Sequence, residues 1–189
     1  MTSRNRAVPC VVLLAVWSGL LFFPSCTPAP TEAQIKASLE IRDVETKWVS
    51  KEYRSWPQKL VLVPSISFRV KNISDKPLTY VNFNAIFKFK DDQENLGDCF
   101  LAGIRGTPVP PGEMSPVIDM ASNFGVEGKT LASFENNPMW KPVVIKLFAQ
   151  SRGSDHILMG TYACSKKIDF VEPEPEKAGP DTEGQGDAQ

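Results

Sequence analysis

The chain has little histidine, little cysteine and no long apolar run, and each shortage argues against a class of function. Its only histidine, His156, leaves little material for a metal site of several imidazoles or for a catalytic triad. The mostly apolar run Val11–Phe23 would rise about 20 Å as a helix, short of the roughly 30 Å apolar core of a bilayer. Lysine plus arginine (21) balances aspartate plus glutamate (22), and no basic patch indicates nucleic-acid binding.

The N-terminus has the layout of a secretory signal, with Arg4 and Arg6 ahead of the apolar run. The residues Phe23-Pro24-Ser25-Cys26 resemble the lipobox of bacterial lipoproteins, with Phe23 and Pro24 in place of the usual leucine and small residue. The resemblance implies a signal peptide over residues 1–25, a lipid on Cys26 and a lipidated tether over residues 26–34. The alternatives are an uncleaved signal or one removed by ordinary signal peptidase. Thr27 in place of aspartate implies an outer-membrane location facing the periplasm.

Cysteine usage fits export to an oxidising compartment. Of the four cysteines, Cys10 lies in the signal and Cys26 is the predicted lipid site, which leaves Cys99 and Cys164 in the exported part. An even number of cysteines outside the cytosol predicts a disulfide between these two, which would stabilise the fold by roughly 4 kcal/mol. The alternative is a pair of buried free thiols.

Apolar and polar residues alternate with a period of two along much of the chain, which indicates strands that bury one face. Turn-forming sequences such as Asn72–Pro77 and Val109–Glu113 separate the runs. The fold predicted for residues 35–171 is therefore all-β: an immunoglobulin-like antiparallel β-sandwich of about seven strands with one short helix, at 128–136. The predicted strands are Ile35–Ile41, Ile66–Lys71, Val81–Phe89, Cys99–Ile104, Ser115–Met120, Val143–Phe148 and Leu158–Cys164.

The last residues, 172–189, carry six acidic residues against Lys177 alone and almost no apolar side chains. Such a segment buries too little surface to offset the loss of chain entropy, so we expect a disordered acidic tail.

Several turns and strand ends resemble the FxLYD-type domains of bacterial envelope proteins. The matching residues are Asn72–Leu78, Val81, Phe87–Asp91 and Pro110–Glu113, with Phe89 and Lys90 departing from the family's leucine and tyrosine. The resemblance implies an immunoglobulin-like sandwich on a lipoprotein and no catalytic residues. Lipid-anchored sandwiches of the transthyretin type remain a rival topology.

The segment Trp48–Pro57 mixes aromatic residues with both signs of charge and interrupts the strand pattern. Aromatic residues beside arginine are common anchors of protein interfaces. We therefore hypothesise that Trp48, Tyr53, Arg54 and Trp56 form part of a partner-binding surface. The alternative is a loop whose tryptophans cap the core.

Other candidate chemistry is weaker. Gly125–Thr130 lacks the first glycine of a phosphate-binding loop, because Asn123 stands at that position. The acidic turn Asp91–Asp98 fails the EF-hand spacing, and the methionines have no short spacing that would complete a copper site with His156. No catalytic residue, metal or cofactor is predicted.

Taken together, the sequence predicts a non-enzymatic, lipid-anchored protein of the bacterial cell envelope. Its contacts would be the membrane, through Cys26, and another envelope protein. The alternative is a periplasmic lipoprotein that binds a small ligand or a metal.

Overall fold

The computed structural model describes residues 28–173. The predicted lipid site Cys26, the signal peptide and the acidic tail from residue 174 onward lie outside the described residues. The elements within them are α1 (Glu32–Ser38), β1 (Leu39–Arg54), β2 (Lys59–Asn72), β3 (Val81–Phe89), β4 (Asn95–Ile104), β5 (Ile118–Ala121), β6 (Val126–Gly128), α2 (Ala132–Glu135), β7 (Val143–Gln150), β8 (Ile157–Ala163) and β9 (Ile168–Asp169).

These strands form two sheets that pack face to face, which confirms the prediction of an all-β sandwich. The first sheet has the order β5-β2-β1-β9, with β6 beside β5 on the same edge of β2. The second has the order β4-β3-β7-β8. All pairings are antiparallel except that of β9, which runs parallel to β1. The described residues thus hold nine strands and two short helices, against the predicted seven and one.

The core lies between the sheets and is supplied by alternate strand residues. In β3 every second residue is buried, as the alternation predicted: Val81, Phe83, Ala85, Phe87 and Phe89. Across the interface the ring of Phe68 meets that of Phe83 edge-on, with centroids 5.0 Å apart. Edge-to-face contact is a preferred arrangement of aromatic rings because it brings the positive edge of one onto the negative face of the other.

The prediction of a strand at Ile35–Ile41 is wrong over its first half, which is the helix α1. Thr31 and Gln34 form a capping box: the Thr31 side chain accepts a hydrogen bond from the Gln34 backbone, and the Gln34 side chain accepts one from the Thr31 backbone. Ile35 and Leu39, four residues apart, are both buried on the side of the helix that faces the sandwich.

The segment Trp48–Pro57, for which the alternative interpretation was a loop, is mostly strand β1. Strand β1 has two single-residue bulges, one between Arg42 and Glu45, before this segment, and one between Ser50 and Glu52, which breaks the alternation inside it. Asp43, in the first bulge, has a φ of 51°. Each bulge inserts one residue, so inward side chains that had odd numbers before it have even numbers after it, or the reverse. A single period of two therefore cannot describe the whole strand.

One buried asparagine holds the turn after β2. The Asn72 amide nitrogen donates to the carbonyl oxygens of Lys76 and Val109, both at 2.8 Å, and its amide oxygen accepts from Ser74. These bonds satisfy a side chain that is fully excluded from solvent. They also tie the turn to the extended segment before β5.

The described chain enters and leaves at opposite ends of the sandwich. It enters through α1, beside the turn after β2, because the Ile73 amide donates to the Ser38 carbonyl at 3.0 Å. It leaves after β9, near the other end, where the Leu131 amide donates to the Glu172 carboxylate at 3.2 Å. Among residues 28–173 no helix is long and apolar enough to cross a membrane.

Candidate interaction surface

Trp48, the first residue of the hypothesised partner-binding surface, is a core residue. Its side chain is 2% exposed and stacks on Trp140, with ring centroids 4.4 Å apart. Phe134 of α2 packs edge-on against Trp140 at 5.1 Å. A side chain this deeply buried cannot contact a partner, so Trp48 is removed from the surface. The alternative interpretation, in which a tryptophan completes the core, describes it correctly.

The other three residues lie near the β1–β2 turn and face different ways. Tyr53 is half-buried and packs on Phe170, with ring centroids 5.4 Å apart. Arg54 is exposed, and its Nε lies 2.8 Å from the Glu52 carboxylate. Trp56 is 88% exposed in the turn itself. The structure therefore does not bring these four side chains together into one surface.

The outer surface of the first sheet, here called the charged face, holds acids and bases that pair across strands. The Lys59 ammonium lies 3.0 Å from the Glu52 carboxylate and 3.6 Å from that of Glu127. Lys47 lies 2.7 Å from Asp169 on the neighbouring β9. The hydrogen bond with Lys59 lowers the pKa of Glu52, and the one with Lys47 lowers the pKa of Asp169. The charges on this face are thus largely satisfied within the molecule.

The outer surface of the second sheet, here called the apolar face, is different. The pairing places Phe100 of β4, Asn84 of β3, Phe148 of β7 and Leu158 of β8 in one row across the sheet. Phe100 is 57% exposed and Leu158 is 43% exposed. Ile86 lies in the next row. Residues side by side across strands share a face, so these side chains form a mainly apolar strip, which Asn84 interrupts between Phe100 and Phe148.

A polar residue under this strip lacks a partner. The Asn84 Oδ1 atom is buried and accepts no hydrogen bond from the described residues. At the edge of the strip the His156 ring approaches Phe100, with centroids 6.4 Å apart. The molecule's only histidine therefore lies beside an aromatic ring rather than in a group of ligands.

Lysines flank the apolar strip. Lys146 lies beside Ile86, and Lys88 lies one row further along the same face. Neither forms an ion pair with a described carboxylate. Asp98, the acid in the Ile86 row, is instead hydrogen-bonded to Asn123, whose side-chain nitrogen donates to it at 2.9 Å. Lys88 and Lys146 thus have no ion-pair partner among the described residues, and the nearest acid in the Lys146 row, Asp98, lies across Ile86.

The predicted disulfide is wrong, because Cys99 and Cys164 are free thiols. Cys99 lies on β4 and Cys164 follows β8, and these strands form opposite edges of the second sheet. Three strand spacings of about 4.8 Å separate the edges by about 14 Å. The Cα atoms of a disulfide lie within about 7 Å of each other. Burial raises the pKa of Cys99 and raises that of Cys164 to about 12.

A cleft of about 460 Å³ lies beside α1, between Pro28, Pro77, Thr79 and Arg152. The apolar residues behind it, such as Ile35 and Val81, are almost fully buried by the rest of the molecule. The exposed lining of the cleft comes from prolines and from polar side chains such as Thr79 and Arg152. Within the described residues no group of three or more histidine, cysteine, aspartate or glutamate side chains is arranged to hold a metal ion.

No protein-family model and no curated protein matches the chain. It is similar in outline to the alkylpurine DNA glycosylase AlkC of Pseudomonas fluorescens, solved bound to DNA containing an abasic site analog, with 7% identity and a TM-score of 0.39. The match covers 72% of this chain and 32% of the glycosylase, so the chain spans about a third of that protein. The putative ApaA protein from Bordetella pertussis has 12% identity and a TM-score of 0.38, over 68% of this chain and 93% of that one. Likeness at this level carries no argument about function.

The sequence interpretation missed the apolar face entirely. The missed residues are Phe100, Phe148, Leu158 and Ile86. A signal was present, because Ile86 and Phe148 are apolar residues at positions where the alternation calls for a polar one. The strands were interpreted as burying one face and exposing a polar one, so these outward apolar residues were overlooked.

Proposed function

We propose that the protein is a non-enzymatic, lipid-anchored component of the bacterial cell envelope that binds another envelope protein through its apolar face. The observation that carries this proposal is the row of Phe100, Phe148 and Leu158 on the outside of the second sheet. Continuous apolar patches are uncommon on soluble monomers and are typical of surfaces that become covered.

The composition of this surface also fits a protein partner. Phenylalanine is enriched at the centres of interfaces, where a large side chain leaves water on binding. Phe100 would bury its exposed 57% at little entropic cost, because its ring has only two rotatable side-chain bonds.

The place where the chain enters the sandwich would leave the charged face and the apolar face accessible. Pro28 is the first described residue, and a lipid on Cys26 would lie two residues, or at most about 7 Å of extended chain, before it. The anchor would therefore hold the end of the sandwich that carries α1. Both outer faces run along the strands, away from that end, and so stay open to a partner at the membrane surface.

The proposal is tested by photocrosslinking in intact cells. The photoreactive residue p-benzoylphenylalanine replaces Phe100 in one variant and Arg42, on the charged face, in a matched control. A third variant carries it at Trp56, in the exposed β1–β2 turn. We expect a discrete crosslinked product from position 100 and none from position 42. A product from position 56 alone would contradict the use of the apolar face.

The anchor is tested separately by the intact mass of the protein extracted from membranes. We expect a mature chain that begins at Cys26 and carries the added mass of acyl chains. A chain that begins at another residue, or that lacks acyl mass, would remove the anchor from the proposal and leave the partner surface unaffected.

A further inference from the structure

The two sheets have four edges, and three of them are short or covered. On the first sheet, β5 and β6 share one edge with four and three residues, and β9 forms the other with two. On the second sheet, β4 is covered at Asp98, whose amide donates to the Asn123 side-chain oxygen at 2.9 Å. The Asn123 amide donates back to the Asp98 carbonyl at 3.1 Å. These contacts limit pairing with another strand.

The fourth edge, β8, is the least protected among the described residues, although it carries a bulge at Met159 and helix α1 contacts one end of it. Its seven residues, Ile157–Ala163, include no charged residue and no proline. Soluble proteins commonly guard exposed edge strands with lysine, proline or a covering segment, because an open edge is a template for another strand. Ile157 is buried, whereas Leu158, Thr161 and Ala163 are exposed.

The main chain of β8 also has free hydrogen-bonding capacity. Apart from its pairing with β7, the strand makes one main-chain hydrogen bond within the described residues, in which the Thr46 hydroxyl donates to the Ala163 carbonyl at 3.1 Å. Helix α1 contacts β8 at the end of the sandwich where Ile157 begins the strand. The outward N–H and C=O groups between these two points therefore have no hydrogen-bond partner among residues 28–173.

The apolar face indicates what chemistry an added strand would carry. Leu158 continues the strip of Phe148 and Phe100 up to this edge, so apolar side chains on an added strand would extend the strip. Next to β8, Lys146 lies opposite Thr161, a small residue that leaves the ammonium accessible, and it forms no ion pair with a described carboxylate. Acidic side chains on the added strand would meet this charge.

We propose that β8 accepts an extended segment of the partner protein by strand addition, and that this segment carries apolar and acidic side chains. The proposal rests on the proposed partner-binding function of the apolar face and names how the partner is held. Main-chain hydrogen bonds to β8 would supply affinity, and the alternating side chains would supply specificity. A second copy of the chain fits less well, because it would bring another uncompensated Lys146 to the same edge.

The test is hydrogen exchange of the full chain in non-ionic detergent with synthetic peptides of the same seven-residue length as β8. The probe carries threonine at every second position and alternates valine with glutamate at the positions between, so that valine and glutamate share the face that continues the apolar strip. One control replaces glutamate with lysine. A second keeps valine and glutamate but carries N-methyl groups on alternate amides, which removes the donors that strand pairing needs. We expect the probe to protect the amides of β8, the N-methylated peptide to give no protection, and the lysine peptide to bind at least about tenfold more weakly.

A pair of variants localises the effect. Leu158→Glu removes an apolar side chain from β8 and places there a charge of the same sign as the probe, and Ile73→Glu makes the matching change at a similarly exposed residue in the turn after β2. Thermal unfolding establishes that both variants fold. We expect the first to lose protection by the probe and the second to keep it.

Several outcomes would overturn the proposal. One is a probe that leaves β8 unprotected, and another is a lysine peptide that binds as well as the probe. Protection of the β8 amides without any peptide would also overturn it. If this protection increases with protein concentration, a second copy of the chain occupies the edge. If it does not, another segment of the same chain occupies it. Crosslinks from position 100 with β8 unprotected would remove strand addition while keeping the proposed function.

Discussion

On the first sheet the outward positions of β1, β2 and β9 hold acids and bases that pair with one another, such as Lys59 with Glu52 and Lys47 with Asp169. On the second sheet the outward positions hold Phe100, Phe148 and Leu158, beside lysines that form no ion pair with a described carboxylate. The strand geometry is the same on both faces, so the difference lies in the side chains alone.

This difference indicates which of the two faces would gain free energy by binding a partner. Surface ion pairs contribute little to stability, but they keep a face hydrated and leave few unsatisfied groups. Exposed aromatic and aliphatic side chains gain free energy when a partner removes them from water. Of the two faces, only the apolar one is left with both uncovered apolar area and uncompensated charge.

The largest expected change in stability comes from an inward residue of the first sheet. It compares an inward and an outward side chain of the same strand, β1. Trp48→Ala removes a buried ring and its stacking on Trp140, and should lower the free energy of unfolding by about 3–5 kcal/mol. The matched change Lys47→Ala, one residue away on the charged face, should have a much smaller effect. Urea unfolding followed by fluorescence measures both. Equal losses would mean that β1 does not divide core from surface as described.

Prediction from sequence succeeded where the alternation was regular. It placed β3 at its observed bounds and assigned all five inward side chains from Val81 to Phe89, because a hydrogen-bonded strand without bulges keeps its parity. It failed at β1, where two bulges reset the parity, and at α1, where alternating residues also fit the helical spacing of Ile35 and Leu39. A bulge depends on the pairing partner, which a single strand's sequence does not show.

The candidate site was less predictable for a related reason. Trp48 and Trp56 share one short segment, yet one side chain is buried and the other is exposed. The row from Phe100 to Leu158 joins residues from four strands that are distant along the chain. Recognising that row requires the strand order and the register of each pair, which are tertiary information.

The second prediction concerns a variant that makes the apolar face polar and leaves the core residues unchanged. The double variant Phe100→Thr, Leu158→Thr introduces β-branched side chains, which suit strands, so it should change the free energy of unfolding by about 1 kcal/mol or less. It should abolish most of the binding of an anionic hydrophobic dye such as anilinonaphthalene sulfonate. The matched double variant on the charged face, Arg42→Thr, Glu45→Thr, should leave dye binding unchanged. Unchanged dye binding by the first variant would show that the face is not an accessible apolar surface.

The third prediction concerns pH and the charged face. Because Lys47 lowers the pKa of Asp169, their pair contributes stability that is present above the ordinary carboxyl pKa, about 3.9, and is lost as pH falls through the lowered value. Asp169 likewise raises the pKa of Lys47, so the contribution is also lost as pH rises through that raised value, above 10.5. Asp169→Asn should remove both dependences, whereas Asp155→Asn, which breaks no ion pair, should keep them.

The measurement is thermal unfolding as a function of pH at low and high salt. High salt should shrink the difference between the wild type and Asp169→Asn, because the pair is exposed to solvent and is screened. The apolar face offers no such pair, so Lys146→Met should leave the pH dependence nearly unchanged. An acid-side loss of stability that persists in Asp169→Asn would place its origin elsewhere.

The smallest expected change in stability is that caused by reductant, which would matter only if a disulfide linked the two edges of the second sheet. Because Cys99 and Cys164 are on opposite edges, reductant should leave the free energy of unfolding unchanged, whereas a bridge would make reduction cost roughly 4 kcal/mol. Burial raises the pKa of Cys164 to about 12, so its thiol should react with iodoacetamide at pH 8.5 at least about a hundredfold faster in the unfolded than in the folded protein. Mass spectrometry of the alkylated peptides follows each cysteine separately. If both peptides stay unmodified in denaturant without reductant, the thiols are bridged, and β4 and β8 cannot be the separate edges on which strand addition at β8 depends.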